Sequence, residues 1–514
     1  MPFRRSLTWW SLLLCATPCL GADKGRLEVQ IVDKQTNQPM AARMHLKDQQ
    51  GKVVRIPKAP FWRDHFAIDG SNVLELPLGA YTFELEAGPE FKLQTGYFTL
   101  ERSANDTKVI EMQRFVDMKK EGWWSGDLHI HRPPEEIELL MRAEDLHVAP
   151  VITWWANRRN FQDQSAGKKP LVRFDGDRFY TLLAGEDERE GGALLFFNLP
   201  QSLPLRGSQP EHPSGAQFID DAREMPDVHI DVEKPFWWDM PMWVATGKVN
   251  SIGLANNHQQ RDGMLDNEAW GKPRETAPYP GPQGNGRWSE HIYYQLLNCG
   301  LRIPPSAGSA SGVLPNPVGY NRVYVHCGET LEWDTWWENL RRGRVMVTNG
   351  PMLRPRVLGP GVEREGALPG HVFRADQGKS LELQIELKLS TRDPIEYLEV
   401  VQDGHTVHDV RLDQFAKTGG RLPPLKFERS GWFLIKAVAS NRKTFRFAST
   451  GPYYVEIGYE PRVSKKAAQF FVDWVTERAG RIKLDDPQQK EEVLQYHRQA
   501  RDFWRKKLES ANAE

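Results

Sequence analysis

The stretch Gly126-Asp127-Leu128-His129-Ile130-His131 combines residue types and a spacing that ask for chemistry. Successive side chains of a β-strand point to opposite faces, so His129 and His131 share one face, roughly 6–7 Å apart along the backbone. Two imidazoles placed in this way can hold a common metal ion. Leu128 and Ile130 point the other way, into apolar packing that keeps the two histidines still. Asp127 has the histidine parity and could add a carboxylate or hydrogen-bond a ligating imidazole. The plain alternative is a pair of polar residues on a half-exposed strand, since so short a motif is weak alone.

A metal would need further His or carboxylate ligands from other strand ends. The candidates are Glu186 in Leu183-Ala184-Gly185-Glu186-Asp187-Glu188, His229 in Asp227-Val228-His229-Ile230-Asp231, and His258 in Ala255-Asn256-Asn257-His258. Each follows an apolar run where a strand would end. For Glu186 the alternative is a solvated acid beside Asp187 and Glu188, and for His229 a core histidine. His258 sits in a polar Asn-Asn-His-Gln-Gln run, which also suits a substrate contact or a solvated loop.

These residues must be positioned by the elements around them. Strands are predicted at Asp127–His131, Val148–Trp154, Thr181–Glu186, Ala193–Leu199, Val228–Val232, Ser251–Ala255, Asn321–Val325 and Val345–Thr348. Helices are predicted at Pro134–Asp145, Trp288–Leu297 and Glu332–Arg342. Pro133-Pro134-Glu135-Glu136 is a good helix opening, because Pro suits the first turn and acids favour the positive helix end. Buried strands alternating with helices predict a mainly parallel sheet or barrel with helices outside. Sites in such folds lie at the carboxyl ends of the strands, where His131, Glu186 and His229 are expected. Loops are predicted from Asn160 to Gly176 and from Trp270 to Gly286, the second long enough to cover a site.

On either side the pattern changes. Residues 25–118 carry short alternating runs such as Leu27-Glu28-Val29-Gln30-Ile31-Val32, separated by Gly and Pro turns, as in an antiparallel sandwich. Alternation returns from Pro351 to about Tyr459 and predicts a second sandwich. Two amphipathic helices follow, one presenting Ala467, Phe471, Trp474 and Val475, the other Leu494, His497, Trp504 and Leu508.

Composition narrows the function. The 514 residues include 67 Lys plus Arg against 68 Asp plus Glu, so no basic field for nucleic acid is implied. Arg4 and Arg5, an apolar run to Leu20, and Leu20-Gly21-Ala22 match a cleavable export signal, which predicts a periplasmic or extracellular protein, with an uncleaved anchor as the alternative. That run is shorter than the ~20 residues a spanning helix needs, and no later segment is apolar enough to cross a bilayer. Past the signal only Cys299 and Cys327 remain, as a disulfide or as two buried thiols.

The Gly126–His131 stretch, Gly185-Glu186, His229, Ser306-Ala307-Gly308-Ser309 and Gly319-Tyr320-Asn321-Arg322-Val323-Tyr324-Val325 together resemble the PHP superfamily, in particular its carbaryl-hydrolase-like (CehA/McbA) metallohydrolases. The resemblance implies a PHP-like distorted (β/α)7 barrel over residues 119–352, flanked by β-sandwiches at 23–118 and 353–460. A helical C-terminal segment at 461–514 and a signal peptide at 1–22 complete the chain. The first sandwich resembles carboxypeptidase-regulatory-like domains through Asn37-Gln38-Pro39 and Leu78-Gly79-Ala80-Tyr81-Thr82. The family carries two or three divalent ions, but this chain departs from its pattern. Thr153-Trp154-Trp155 stands for Thr-Asp-His, Gly191-Gly192-Ala193 for a Gly-His phrase, and Ala310 for a late Asp.

Carried over residue by residue, the resemblance leaves His129, His131, Glu186 and His229 as ligands, enough for one ion. Zn²⁺ is the first choice, with Mn²⁺ or Fe²⁺ as alternatives. Glu186 or His258 would supply acid–base catalysis, with Asp187 or Glu188 standing in for Glu186. Trp154, Trp155, Asn257 and Arg322 would contact a small-molecule or glycan substrate. The implied activity is hydrolysis of an ester, amide, carbamate or phosphoester bond. The alternative is a degenerate barrel that binds a carbohydrate or cell-surface partner without hydrolysis. Oligomeric state is left open.

Overall fold

The computed structural model describes residues 23–103, 105–157, 161–163 and 171–514. The leader read at residues 1–22, and much of the loop between Asn160 and Gly176, lie outside the described residues. The chain is a multidomain mixed α/β and β protein with several sheets and helices at its C-terminus.

The alternating runs at the start form two facing sheets. One orders Ser71–Pro77, Lys24–Asp33 and Asn105–Met112; the other orders Phe61–Trp62, His65–Asp69, Ala41–Asp48, Gly79–Glu86 and Gln94–Leu100. Leu27, Val29, Ile31, Met44, Leu46, Phe83 and Leu85 fill the space between them, as period-two patterning requires.

The middle of the chain closes a ring of paired segments. Val148–Asn157 pairs in parallel with Arg178–Arg189, and Ser251–Ala255 lies parallel to both His229–Val232 and Pro305–Ala307. The ring shuts through residues 128–131: Leu128 N–H donates to Ala307, and Ile130 bridges both Val151 and Ser311. The ring is not uniformly parallel, because Gly192–Phe197 runs antiparallel to both its neighbours. The cause is the Gly191-Gly192 turn, which folds this strand straight back on Arg178–Arg189. A Cβ on Gly191 would lie 2.0 Å from the Asp239 carboxylate and one on Gly192 2.3 Å from Trp237, so only glycine fits the turn.

The strand expected over Asp127–His131 also differs. Regular pairing covers Trp123–Gly126 and then stops; the backbone bends at Leu128, and Ile130 makes isolated bridges. Helices form at Ile137–Ala143, Gln283–Asn298 and Trp333–Arg341, as expected, and also at Gly215–Arg223 and Met240–Ala245, which periodicity did not reveal.

The second sandwich packs Met352–Gly359, Leu381–Ser390 and Arg421–Phe427 against Ile395–Gln402 and Gly431–Ala439 over an apolar core. It is continuous with the central sheet, since Val345–Thr348 pairs with Phe447–Thr450. Cys299 is buried and Cys327 half-buried; both are free thiols. No helix among the described residues is long and apolar enough to cross a membrane.

The terminal helices, Lys465–Arg481 and Pro487–Glu509, dock on the segment that follows His229–Val232. Phe471, Trp474 and Trp504 join a core containing Trp237, Trp238 and Met240. Trp474 Nε1 donates to the Trp238 carbonyl at 3.1 Å and Trp504 Nε1 to the Pro241 carbonyl at 3.0 Å. Arg478 adds a buried ion pair with Asp239 at 2.7 Å. This bracing predicts that Trp504→Ala costs about 3–5 kcal/mol, from lost transfer energy and the cavity left behind. Urea unfolding followed by tryptophan fluorescence measures it, and a cost below about 1 kcal/mol would show that the helices are not braced there.

Candidate metal centre

Three donor atoms converge where the sequence placed the histidine pair. His129 Nε2 lies 3.1 Å from His131 Nε2, His131 Nε2 lies 3.1 Å from Glu186 Oε2, and His129 Nε2 lies 3.4 Å from the same oxygen. Glu186 Oε2 and His129 Nδ1 are buried and make no hydrogen bond of good geometry among the described residues. Ligands about 2.0–2.1 Å from a tetrahedral Zn²⁺ stand about 3.3–3.4 Å apart, so this triangle has the edge lengths of three ligands to one ion. Two imidazoles and one carboxylate also form a donor set suited to Zn²⁺ or Fe²⁺. The residues fit a metal.

Backbone and packing hold the triangle. Asp127, fully buried, does not face the donors. Its Oδ1 accepts from the His129 and Ser309 amides at 3.0 and 2.9 Å, and its Oδ2 from the Gly319 amide at 2.7 Å and from Ser309 Oγ. Asp127 therefore fixes the backbone that carries His129. Gly308 passes so close that a Cβ there would lie 2.4 Å from the His129 Cβ. On the neighbouring strand Glu186 pairs opposite Trp155, and both face inward; the Trp155 ring lies 5.0 Å from His131. Trp154 faces outward instead. It stacks on Phe196 and covers Gly185, where a Cβ would lie 1.9 Å from the indole. Trp154 is a core residue, and the sequence assignment to substrate is corrected by strand parity.

Parity also moves the ligand expected at His229. That histidine is fully buried beneath the site, 4.8 Å from the Trp337 ring, with Nε2 2.7 Å from Ser251 Oγ. Ser251 Oγ donates to Asp231, so it must accept from a His229 Nε2–H. His229, Asp231 and Glu233 alternate along one inward face, and it is Glu233, just past the strand end, that reaches the donor triangle. Glu233 Oε1 lies 3.3 Å from His129 Nδ1, while its Oε2 accepts from Trp237 Nε1 at 3.0 Å and from Lys234 Nζ. A carboxylate behind a histidine in this position sets the tautomer and leaves Nε2 free for an ion. The sequence contained the clue, since Glu233 shares the parity of His229 and stands nearer the carboxyl end of the strand.

Of the remaining candidates, His258 is buried within electrostatic reach of Lys234 and Glu233, its ring 5.2 Å from Phe236. Asn257 is buried with Oδ1 unpartnered. Arg322 is brought elsewhere, donating from Nε to the Gly319 carbonyl at 2.6 Å and from Nη2 to the Glu144 carbonyl at 3.1 Å. Asp187 faces away and pairs with Arg189, whereas Glu188 faces the site and accepts from Trp155 Nε1 at 3.2 Å.

Electrostatics follow from burying these groups together. Burial opposes charge on His129, but Glu186 and Glu233 outweigh it and hold the imidazole at about 10. Burial lowers His131 and takes His258 down to about 3, helped by Lys234. Burial, with Glu186 and Glu233 nearby, raises Glu188 to about 8, so it is protonated at neutral pH.

A second buried group that could hold a metal ion, His45, Asp64 and His65, lies in the first sandwich. There both Nδ1 atoms face Asp64, at 3.1 and 2.8 Å, but Arg43 Nη1 abuts His45 Nε2. A guanidinium donating to Nε2 requires the proton on Nδ1, which removes that ligand; the trio is a hydrogen-bonded ladder.

No protein-family model and no curated protein matches the chain. Among solved structures, a β-glucuronidase of Parabacteroides merdae aligns at 11% identity and a TM-score of 0.18, over 82% of this chain and 60% of its own. β-Glucuronidase 3 of Bacteroides uniformis aligns at 9% identity and a TM-score of 0.14, over 84% of this chain and 63% of its own. The chain thus spans less than two thirds of either, and likeness at that level carries no argument about fold or activity.

Asp231 gives a pH test of this interior. Burial raises its carboxyl to about 7 from 3.8, against hydrogen bonds from Ser251 and Ser306. A raised folded pKa means stability that is fully present below the unfolded value and lost as pH climbs through the folded one. Metal-free protein should lose up to about 4 kcal/mol from this group between pH 4 and 8, and Asp231→Asn should lack that component. Urea midpoints at pH 5 and 8 check it; identical pH slopes for the two proteins would contradict it.

Proposed function

We propose that the chain is an exported, mononuclear, metal-dependent hydrolase with a PHP-like barrel, acting on an ester, amide, carbamate or phosphoester bond. The observation that carries this reading is the triangle of His129 Nε2, His131 Nε2 and Glu186 Oε2, with edges of 3.1, 3.1 and 3.4 Å. The closed ring of strands, with its donors at the carboxyl ends, supports the barrel reading. Export rests on the basic and apolar residues 4–22.

His129, His131 and Glu186 would hold the ion. Once bound, a divalent ion would polarise the scissile carbonyl or phosphoryl oxygen and make water a better nucleophile at neutral pH. The protein's own groups do the rest. Glu233 keeps the His129 proton on Nδ1. Glu188, which faces the site and whose carboxyl burial raises in the metal-free protein, would donate a proton to the leaving group. Trp155 screens His131 and orients the Glu188 carboxyl through Nε1. Glu186 serves as a ligand, and Glu188 takes the acid–base role.

The test combines metal analysis with kinetics. After metal-supplemented expression the protein should retain about one equivalent of transition metal and hydrolyse activated esters or phosphodiesters. His131→Ala should lose both. Glu188→Gln should keep the metal and lose about 10²–10⁴ in kcat. Less than about 0.2 equivalents of metal would refute the reading. One equivalent without turnover of any such substrate would favour the binding-only alternative.

A further inference from the structure

At the opposite end of the ring a cavity of about 600 Å³ opens between the central sheet and the second sandwich. It lies near Pro304, at the start of the Pro305–Ala307 strand whose far end meets His129. Among the described residues its wall carries Arg302, Arg341, Arg342, Arg344, Arg374 and His371 and no carboxylate.

Among the described residues the neighbouring acids do not balance these charges. Glu456 alone serves both Arg302 and Arg374, the latter at 3.0 Å. Glu338 pairs with Arg342. Among the described residues the Arg344 guanidinium donates only to the neutral Asn339 Oδ1, at 3.3 Å. The Arg341 guanidinium makes no hydrogen bond or ion pair among the described residues. Arg302 and Arg374 repel each other across the wall. Gathering like charges in one concave wall costs stability unless a ligand supplies the opposite sign.

We propose that this cavity binds a multivalent oxyanion, an organic molecule bearing two or more sulfate or phosphate groups. Guanidinium forks match the oxygens of such groups in pairs, which ammonium groups do not. A volume of about 600 Å³ lies within the range of small-molecule sites and exceeds what one inorganic anion fills. The Tyr454 ring, 5.5 Å from the Arg302 guanidinium, gives the wall a flat face for the carbon skeleton.

Isothermal titration of the full chain at low salt tests the site, with inositol hexakisphosphate and a multiply sulfated disaccharide as probes and the unsulfated disaccharide as control. One probe should bind one-to-one, weaken steeply with salt and identify the source of the oxyanion. Arg341→Gln and Arg344→Gln should each weaken binding on the order of fivefold to tenfold. Arg341→Gln removes no internal partner, so its fold should be intact by circular dichroism. Arg392→Gln, in an ion-paired cluster elsewhere, should change nothing. Absence of binding by both charged probes, or affinity unchanged in both cavity variants, would overturn the proposal. So would an equal loss in Arg392→Gln.

Discussion

The arrangement of the donors depends on one buried carboxylate. Asp127 gathers the amides of His129, Ser309 and Gly319 and the Ser309 hydroxyl, and so joins the histidine segment to a loop distant in sequence. Burial raises its carboxyl, and the hydrogen bonds oppose that rise. A buried carboxylate is tolerated only when its lone pairs are occupied, so the geometry around Asp127 is strongly specified. Regular pairing ends at Gly126, and Asp127 takes the His129 amide between the flanking bonds of Leu128 and His131 to Ala307 and Ser311. The close approach of Gly308 follows from the same knot.

Around this knot the other domains act as supports. The first sandwich grips the centre through a buried ion pair, Arg43 with Glu144 at 2.5 Å, and a half-buried one, Arg114 with Asp145 at 2.8 Å. Its Phe61–Trp62 strand also reaches the end of the ring, where Trp62 Nε1 donates to the Leu314 carbonyl at 2.7 Å and Arg132 lies over the Trp62 ring. The terminal helices brace Trp237 and Asp239, and Trp237 in turn orients Glu233. Glu233 therefore sits on a segment fixed from outside the ring, which ties the protonation of His129 to the docking of a distant helix pair.

The sequence made much of this legible. Alternation predicted both sandwiches, and the amphipathic helices packed through Phe471, Trp474 and Trp504. The histidine pair and Glu186 converge because side-chain parity in extended backbone is a strong local rule. Where the reading went astray, the cause was an absent neighbour rather than a weak pattern. His229 attracted attention by its residue type, yet depth along the strand decides which end a side chain occupies, and Glu233 lay at the right depth. Trp154 and Trp155 look equivalent in the chain, and only pairing opposite Gly185 and Glu186 assigns one to the core and the other to the site. Arg322 could not be placed without knowing that Gly319 and Glu144 meet there. The antiparallel strand after Gly191-Gly192 reflects a tight turn against Trp237 and Asp239, a contact distant in sequence.

The proposed centre is one ion shared by His129, His131 and Glu186. X-ray absorption spectroscopy of zinc-loaded protein tests it most directly. The predicted spectrum has a four-coordinate shell near 2.0–2.1 Å with the outer-shell scattering of two imidazoles, reduced to one imidazole in His131→Ala. A shell of oxygen ligands without imidazole scattering, or metal–metal scattering at about 3.5 Å from a second ion, would contradict it.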